Sequence, residues 1–200
     1  IVEITEDIIL NKVDEFLDLQ DDNIIIDGKG YTITVTATDY PGFIKNGSVN
    51  ESFHDLNATC ANCTIKNIKV VVSGDGSLAE YGGWIGQHNF GNNIDDGNIL
   101  FENCSSTGDI SNYAGGISGA RTGKSMSNIS SIIFKNCYST GDINNNWDKS
   151  GGISGMQTGL KMNNSSITFD NCYSTGYIHF RNFLLAKVYS RLCSRLTSTF

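Results

Sequence analysis

The amino-acid sequence predicts an all-β protein: a right-handed parallel β-helix (β-solenoid) with about 33–36 residues per coil, three parallel sheets and capped ends. One motif occurs three times, as ILFENCSSTGDI from Ile99, IIFKNCYSTGDI from Ile132 and ITFDNCYSTGYI from Ile167. A second motif, GGISG, occurs at 115–119 and again at 151–155. A fixed period of this length is typical of a solenoid, and parallel crossover connections are nearly always right-handed.

Composition agrees with short strands joined by turns. The chain of 200 residues contains 22 glycines and one proline, and it is long enough for one domain with a core. A net charge of −7 argues against a nucleic-acid partner. No stretch approaches the roughly 20 apolar residues that span a bilayer, so we expect no transmembrane span. Because the chain begins at Ile1 without Met, we expect a processed chain or a fragment.

Three segments are predicted along the chain: an N-terminal cap at 1–21, the β-helix at 22–180, and a basic C-terminal cap or docking segment at 181–200. The first segment fits either two short strands or a short helix, and a solenoid needs its open end covered. The last segment has basic residues and no acidic residue, and its apolar residues fall at helical spacing, which favours a capping helix. Docking to an acidic partner or to a membrane surface is the alternative.

Each coil is predicted to contribute three strands. In the first full copy these are 99–101, 104–110 and a short strand around 116–118. The earlier run NIIIDGKGYTITV supplies two further strands around the turn at 27–30. The surplus residues of each coil are expected in exposed loops such as 120–128 and 157–165.

Stacking the copies predicts columns of like residues, about 4.8 Å apart along the axis. An amide column is expected from Asn67, Asn103, Asn136 and Asn171. A thiol column is expected from Cys104, Cys137 and Cys172, and an aromatic column from Phe101, Phe134 and Phe169. These residues are predicted to be structural.

The asparagine at the bend, the NCYSTG run and the repeated GGISG resemble the GLUG-type repeats of right-handed parallel β-helix proteins. The opening IIIDGKGYTITV resembles the first coil of pectin-lyase-like β-helices, and the likeness covers roughly residues 22–180. Such repeats occur in bacterial surface adhesins and in surface proteins of large DNA viruses. The same superfamily includes polysaccharide lyases, glycoside hydrolases and phage tailspikes, so the resemblance implies a surface protein or a carbohydrate-active enzyme.

Carboxylate pairs would be needed for glycoside hydrolysis or for a calcium-dependent lyase reaction. Asp95 and Asp96 are weak candidates, because neighbours in sequence point apart on a strand. Asp109 and Asp142 are expected to stack on the outer face in adjacent coils. The Gly-His-Gly and Arg-Ile-Lys segments of the family's hydrolases are absent from the sequence. We therefore predict no catalytic residue, no metal site and no cofactor.

Two further groups have a functional and a structural interpretation. Cys60 and Cys63 have the CxxC spacing, but the sequence lacks the second ligand pair of a zinc site, so a local disulfide or two unrelated thiols is favoured over redox activity. Trp84, Trp147 and Tyr113 flank the glycine motifs and are candidate glycan contacts, although packing roles are favoured.

The sequence thus favours a non-enzymatic structural or adhesive β-helix of a cell or virion surface. Its expected partners are other proteins of a surface assembly, glycans and a second copy of the chain in a homo-oligomer. A polysaccharide-degrading β-helix enzyme and a glycan-binding module are the alternatives, the former resting on fold analogy alone. Frequent Asn-X-Ser/Thr sequences fit an extracellular or virion-surface location.

Overall fold

The protein is an all-β solenoid in a computed structural model that describes residues 1–47, 57–145 and 149–180 and the strands Phe183–Lys187 and Ser190–Ser198. Within these ranges the regular elements are strands, and no helix is present. Strands stack in parallel on the strands of the next turn, so the predicted β-solenoid is confirmed. The hand of the coil stays a prediction.

The first sheet takes one strand from each turn. Its strands, in spatial order, are β1 (Val2–Glu3), β4 (Ile24–Asp27), β7 (Cys63–Lys66), β9 (Asn98–Glu102), β11 (Ser131–Lys135) and the first half of β14 (Ser165–Ser174). Residues that pair between neighbouring strands are separated by 39 residues from β4 to β7, 36 from β7 to β9, 33 from β9 to β11 and 35 from β11 to β14. Only 24 residues separate Val2 from its partner Ile26, so the first turn is shorter than the repeat predicts.

The second sheet lies one bend further along each coil. Its strands are β2 (Ile8–Leu10), β5 (Thr32–Val35), β8 (Lys69–Val72), β10 (Ser105–Ser106), β12 (Tyr138–Ser139) and the second half of β14. β14 runs through the bend and joins both sheets. β4 and β5 do not pair with each other, so the turn at 27–30 is a corner of a coil and not a hairpin.

The third parallel sheet contains fewer paired residues than predicted. β3 (Leu17–Asp18) pairs with β6 (Ile44–Lys45), and single bridges continue this line from Ile44 to Gly86, Ser118 and Ser154. The chain turns so tightly here that a Cβ on Gly115 would collide with the Ser118 carbonyl. The GGISG motif is therefore a tight turn stacked on its own copies, because only glycine leaves room for this approach.

Both chain ends are formed by strands. Residues 1–21 contribute β1 to β3, which stack in parallel on the following turn, so the helical alternative for this segment is wrong. A capping helix at 181–200 is also wrong for the described part of that segment. There, β16 (Phe183–Lys187) pairs with β15 (Tyr177–Phe180), itself stacked on β13 (Ile143–Asn145), and β17 (Ser190–Ser198) runs antiparallel along β14. A strand can satisfy the backbone groups along the edge of β14, whereas a helix has none to offer.

Loop 120–128 is more buried than the sequence suggests. Lys124 is 8% exposed, and Thr122 and Met126 are fully buried. The backbone of 157–163 lies on this loop, as shown by the bond from Ser125 N to Leu160 O (2.8 Å). The loops thus stack like the strands. The exposed residues are Asn128 in loop 120–128 and Gln157, Lys161, Asn163 and Asn164 in loop 157–165.

Candidate functional site: the outer face of the first sheet

Three columns of side chains point outward from the first sheet and run along the solenoid axis. We call the surface that they form the outer face. A polar column consists of Asn62, Asn98, Ser131 and Ser166. An apolar column consists of Ile25, Thr64, Leu100, Ile133 and Thr168, all half-buried. A charged column consists of Asp27, Lys66, Glu102, Lys135 and Asp170.

The polar column is connected by hydrogen bonds between turns. Asn98 N donates to Asn62 Oδ1 at 3.1 Å, and Ser131 Oγ donates to Asn98 Oδ1 at 2.7 Å. Asn62 in turn donates from N and Nδ2 to the two carboxylate oxygens of Asp22, at 2.6 and 2.9 Å. The Asn62 side-chain bond holds the pKa of Asp22 below its ordinary value. These bonds fix the polar atoms on one border of the apolar strip.

A groove of about 480 Å³ follows the apolar column across several turns. Its walls include Ile25, Leu100 and Ile133 and, on the polar side, Asn62 and Asn98. An elongated surface with an apolar floor and amide and hydroxyl groups along one edge can hold an extended polymer that carries both ring faces and hydroxyl groups. It offers no group placed for chemistry on such a polymer.

The charged column alternates in sign from turn to turn. Lys66 Nζ lies 3.4 Å from Asp27 Oδ2, and Lys135 Nζ lies 2.8 Å from Glu102 Oε1. The more exposed pair, between Lys135 and Glu102, contributes little to stability, about 0–1 kcal/mol. The use of both pairs is to set the register, because a shift of one coil's strand by one residue would remove these pairings.

The candidate acids serve the stacking of the turns. Asp95 accepts from Ser127 Oγ at 2.7 Å and from Asn128 Nδ2, and Asp96 lies exposed in a left-handed turn beside it. Asp109 Oδ1 accepts from the backbone N of Asp142 at 3.0 Å. These contacts do not assemble a catalytic pair, and the described residues contain no group of three or more metal-ligating side chains.

Asp142 repeats the role of Asp109 one turn further on. Its Oδ1 accepts from Tyr177 N at 2.8 Å, and its Oδ2 lies 3.3 Å from His179 Nε2. Each of these carboxylates therefore accepts a hydrogen bond from a backbone N–H of the next turn. Their role in the structure is to link adjacent turns.

The three candidate glycan contacts differ in their positions. Trp84 is fully buried, and its Nε1 donates to Gly108 O at 2.9 Å, so its ring packs in the core and is not available to a sugar. Tyr113 is half-buried and stacks on Tyr81, with ring centroids 4.7 Å apart. Trp147 lies outside the described residues. The core position of Trp84 depends on Gly108, where a side chain would overlap the indole.

The amide column links the four turns that contain β7, β9, β11 and β14. Asn103 Nδ2 donates to Asn67 Oδ1 at 3.2 Å, Asn136 Nδ2 to Asn103 Oδ1 at 3.1 Å, and Asn171 Nδ2 to Asn136 Oδ1 at 2.8 Å. The four residues have φ between 50° and 55°, in the left-handed region that asparagine tolerates better than other non-glycine residues. Asparagine is therefore used here both for its backbone and for its side chain.

Replacing Asn136 by alanine and by glycine separates these two uses. Both variants lose two inter-turn hydrogen bonds, but glycine keeps the left-handed backbone at no cost. We expect the alanine variant to lose about 1 kcal/mol more unfolding free energy than the glycine variant. Urea denaturation of both variants measures the difference, and equal losses would mean that the backbone conformation contributes nothing.

Asp27 is the lowest member of the amide column, a role that sequence analysis missed. Its buried carboxylate accepts from Asn67 Nδ2 and from Lys29 N, both at 2.9 Å. These hydrogen bonds, together with Lys66 and Lys29, lower the pKa of Asp27 to about 2. The alignment of the repeats pairs Asp27 with Lys66 and not with Asn67, so the sequence contained no signal for this role.

The lowered pKa of Asp27 predicts a pH dependence of stability. Because the folded pKa lies below the unfolded one, the stabilisation is complete above about pH 4 and disappears as the pH falls towards 2. Asp27→Asn lacks this contribution at any pH. We expect the stability difference between wild type and variant to shrink between pH 5 and about pH 2, as measured by urea midpoints; a constant difference would contradict the assignment.

The thiol and aromatic columns fill the interior behind the bend. Cys104, Cys137 and Cys172 are fully buried, and each Sγ lies 3.3–3.5 Å from two backbone carbonyl oxygens. Phe134 stacks on Phe101 and Phe169 with centroid distances of 4.8 and 5.0 Å. These columns form packing surfaces and no reactive centre.

No protein-family model, no curated protein and no solved structure matches this chain. The solenoid architecture is therefore established by the strand pairing, and the resemblance to GLUG-type and pectin-lyase-like proteins stays a prediction. Among the described residues there is no helix long and apolar enough to cross a membrane.

Proposed function

We propose that this protein is a non-enzymatic structural or adhesive β-solenoid of a cell or virion surface and forms part of a larger assembly. The observation that supports this most is the use of its surface acids: Asp95, Asp109 and Asp142 each bind groups of the adjacent turn. Carboxylates whose oxygens accept hydrogen bonds between turns stabilise a rigid solenoid and are not placed to act as general acids or bases. The resemblance of the repeats to those of surface proteins supports the location.

A polysaccharide panel tests the non-enzymatic part of this proposal. The purified protein is incubated with neutral, acidic and amino polysaccharides, and reducing ends and unsaturated products are measured. We expect the protein to release no more reducing ends or unsaturated products than a heat-denatured sample does. Turnover that Asp95→Asn or Asp109→Asn abolishes, while the variant keeps its fold by circular dichroism, would replace the structural function by an enzymatic one.

The groove on the outer face favours a second candidate function, a glycan-binding module without turnover. The apolar column and the hydrogen-bonded amides beside it would contact a polysaccharide chain laid along the axis. Leu100→Arg places a charge in the middle of the groove and should abolish binding on a glycan array. Ile9→Arg is the matched control, because Ile9 is 68% exposed in β2 of the second sheet and should not affect the groove.

Assembly with other proteins or with a second copy of the chain is the remaining part of the proposal. The four basic residues of segment 181–200, against a net charge of −7 for the whole chain, support docking to an acidic partner. Light scattering of the purified chain, with and without residues 181–200, distinguishes a self-assembling protein from one that needs a different partner. A monomer at all concentrations with the full chain would exclude the homo-oligomer.

A further inference from the structure

The two ends of the solenoid carry opposite charges. The segment 1–21 contains seven acidic residues and one lysine, which gives it a net charge of −6. The segment 181–200 contains four basic residues and no acidic residue, which gives it a net charge of +4. The first segment forms β1 to β3 and the second contains β16 and β17, so these charges belong to opposite ends of the stack. One end of the molecule is therefore complementary in charge to the other.

Both ends also leave a backbone edge of their strands open. Among the described residues, β1 pairs with β4 alone, β2 with β5 alone and β3 with β6 alone. At the other end, β17 pairs within the same part of the chain with β14 alone. The backbone N–H and C=O groups along such an edge can bind a further strand.

The N-terminal end exposes apolar side chains beside its open edge. Eight large hydrophobic side chains of the described residues are exposed, and half of them lie within the first 13 positions: Ile1, Val2, Ile9 and Val13. Val2 belongs to β1 and Ile9 to β2, so these side chains stand next to the open edge. Contact with another molecule would remove them from water, which favours association at this end.

One column of the second sheet begins with an acid and ends with an arginine. Its members, in order along the axis, are Asp7, Thr32, Lys69, Ser105, Tyr138, Tyr173 and Arg191. Asp7 is placed at its start because its Oδ1 accepts from Thr32 N at 2.7 Å and the next residues of the two strands are paired. Arg191 is placed at its end because β17 pairs it with Tyr173. The register thus continues the charge complementarity of the two ends down to single positions.

We propose that a second copy of this chain binds head-to-tail, with β17 of one copy pairing along β1 and β2 of the next. β17 runs antiparallel along both halves of β14, and β1 and β2 lie at the other end of the same two sheets. The nine residues of β17 can therefore cover both strands of the next copy at the usual strand spacing of about 4.8 Å. Continuing the axis in this way places Asp7 of the next copy at the position beside Arg191. This inference names the partner in the assembly part of the proposed function and rests on that part.

A head-to-tail contact leaves one open end on every copy that joins, so the assembly grows along the axis into a filament. We expect the mass measured by light scattering to rise continuously with the concentration of the purified chain, and electron microscopy to show filaments one solenoid wide. Raising sodium chloride from about 0.05 M to about 0.5 M should weaken the association at least about 10-fold, because salt screens the charges of the two ends. A mass that stops at that of a dimer, or association that salt does not weaken, would overturn the proposal.

Charge reversal identifies the two surfaces. Arg191→Glu combined with Arg195→Glu should weaken the association about 100-fold or more, because acidic residues would then meet acidic residues. Glu6→Lys combined with Asp7→Lys should do the same from the other end. Lys69→Glu is the matched control: Lys69 is exposed in the same column but lies in the middle of the stack, so its reversal should leave the association unchanged.

A mixture of the two double variants distinguishes a head-to-tail contact from any other. Each variant alone should stay monomeric at concentrations at which the wild type associates. The mixture should associate, because the acidic first turn of one variant meets the basic last strand of the other. Association of either variant alone at the wild-type level, or a mixture that stays monomeric, would contradict the inference.

Circular dichroism establishes that each variant is folded, and the mass and salt dependence of the wild type decide the question if one is not. A wild-type chain that stays monomeric at all concentrations would overturn this inference. It would leave the non-enzymatic function standing, since the polysaccharide panel tests that function separately.

Discussion

Replacing Phe134 by alanine is expected to lower the free energy of unfolding by about 3–5 kcal/mol. Phe134 is fully buried and is the middle ring of the aromatic column, so its removal takes away stacking contacts with both Phe101 and Phe169. The stacked parallel strands on either side cannot close the cavity without breaking their hydrogen bonds, so most of the volume should remain empty. Urea denaturation followed by circular dichroism measures the loss.

Ile133→Ala is the matched control for this variant. Ile133 is the preceding residue of β11 and points outward into the groove, where it is half-buried. We expect its truncation to cost about 1 kcal/mol, since only part of its surface is covered. If the two variants were equally destabilised, the stability would not depend on the interior column.

Replacing Gly141 by alanine is expected to destabilise the protein by about 3 kcal/mol or more, or to prevent folding. A Cβ at Gly141 would overlap the carbonyl group of Gly108 in the turn below. This neighbour is backbone and cannot move aside as a flexible side chain could. The two turns would have to separate locally, at the cost of hydrogen bonds such as the one from Tyr138 N to Cys104 O.

Gly74→Ala distinguishes this overlap from the general cost of replacing a glycine. Gly74 has φ of 62°, but no atom lies within 4 Å of the position that its Cβ would take. Alanine there should cost only the backbone strain, about 1–2 kcal/mol. Thermal unfolding of both variants tests the difference, and a larger loss for Gly74→Ala would contradict the importance of close stacking at Gly141.

The repeating part of the chain was predictable because each turn copies the last. The spacing of Phe101, Phe134 and Phe169 indicated the period directly, and the register of β9, β11 and β14 follows it. The loops could have been aligned by their sequence repeats in the same way. Thr122-Gly123 and Thr158-Gly159 repeat in sequence, and in the structure these segments lie one above the other.

The ends were less predictable because they do not repeat. The first turn, from Val2 to its partner Ile26, is only 24 residues long, and the sequence contains no copy against which to align it. The segment 181–200 has helical spacing of its apolar residues, yet β17 follows β14 as an antiparallel strand. Local propensity was overridden there by the need to satisfy the backbone edge of β14.

The outer face was missed for a different reason. Its residues are not reactive side chains, and the surface is defined by which residues the strand register places next to each other in successive turns. Leu100 and Ile133 are unremarkable until the register places them in one strip with the amides of Asn62 and Asn98. Trp84 is a different case: the sequence favoured a packing role over a glycan contact, but it did not show that Gly108 would make room for the indole in the core.

The carboxylate of Asp27 fixes the polarity of the whole amide column. A carboxylate can only accept, so Asn67 must present its Nδ2 to it and turn its Oδ1 towards Asn103. Each amide above then has the same orientation, and their dipoles add along the axis with the positive end at the single negative charge. One ionised group at the base thus orders side chains four turns away, as an anion does at the amino end of an α-helix.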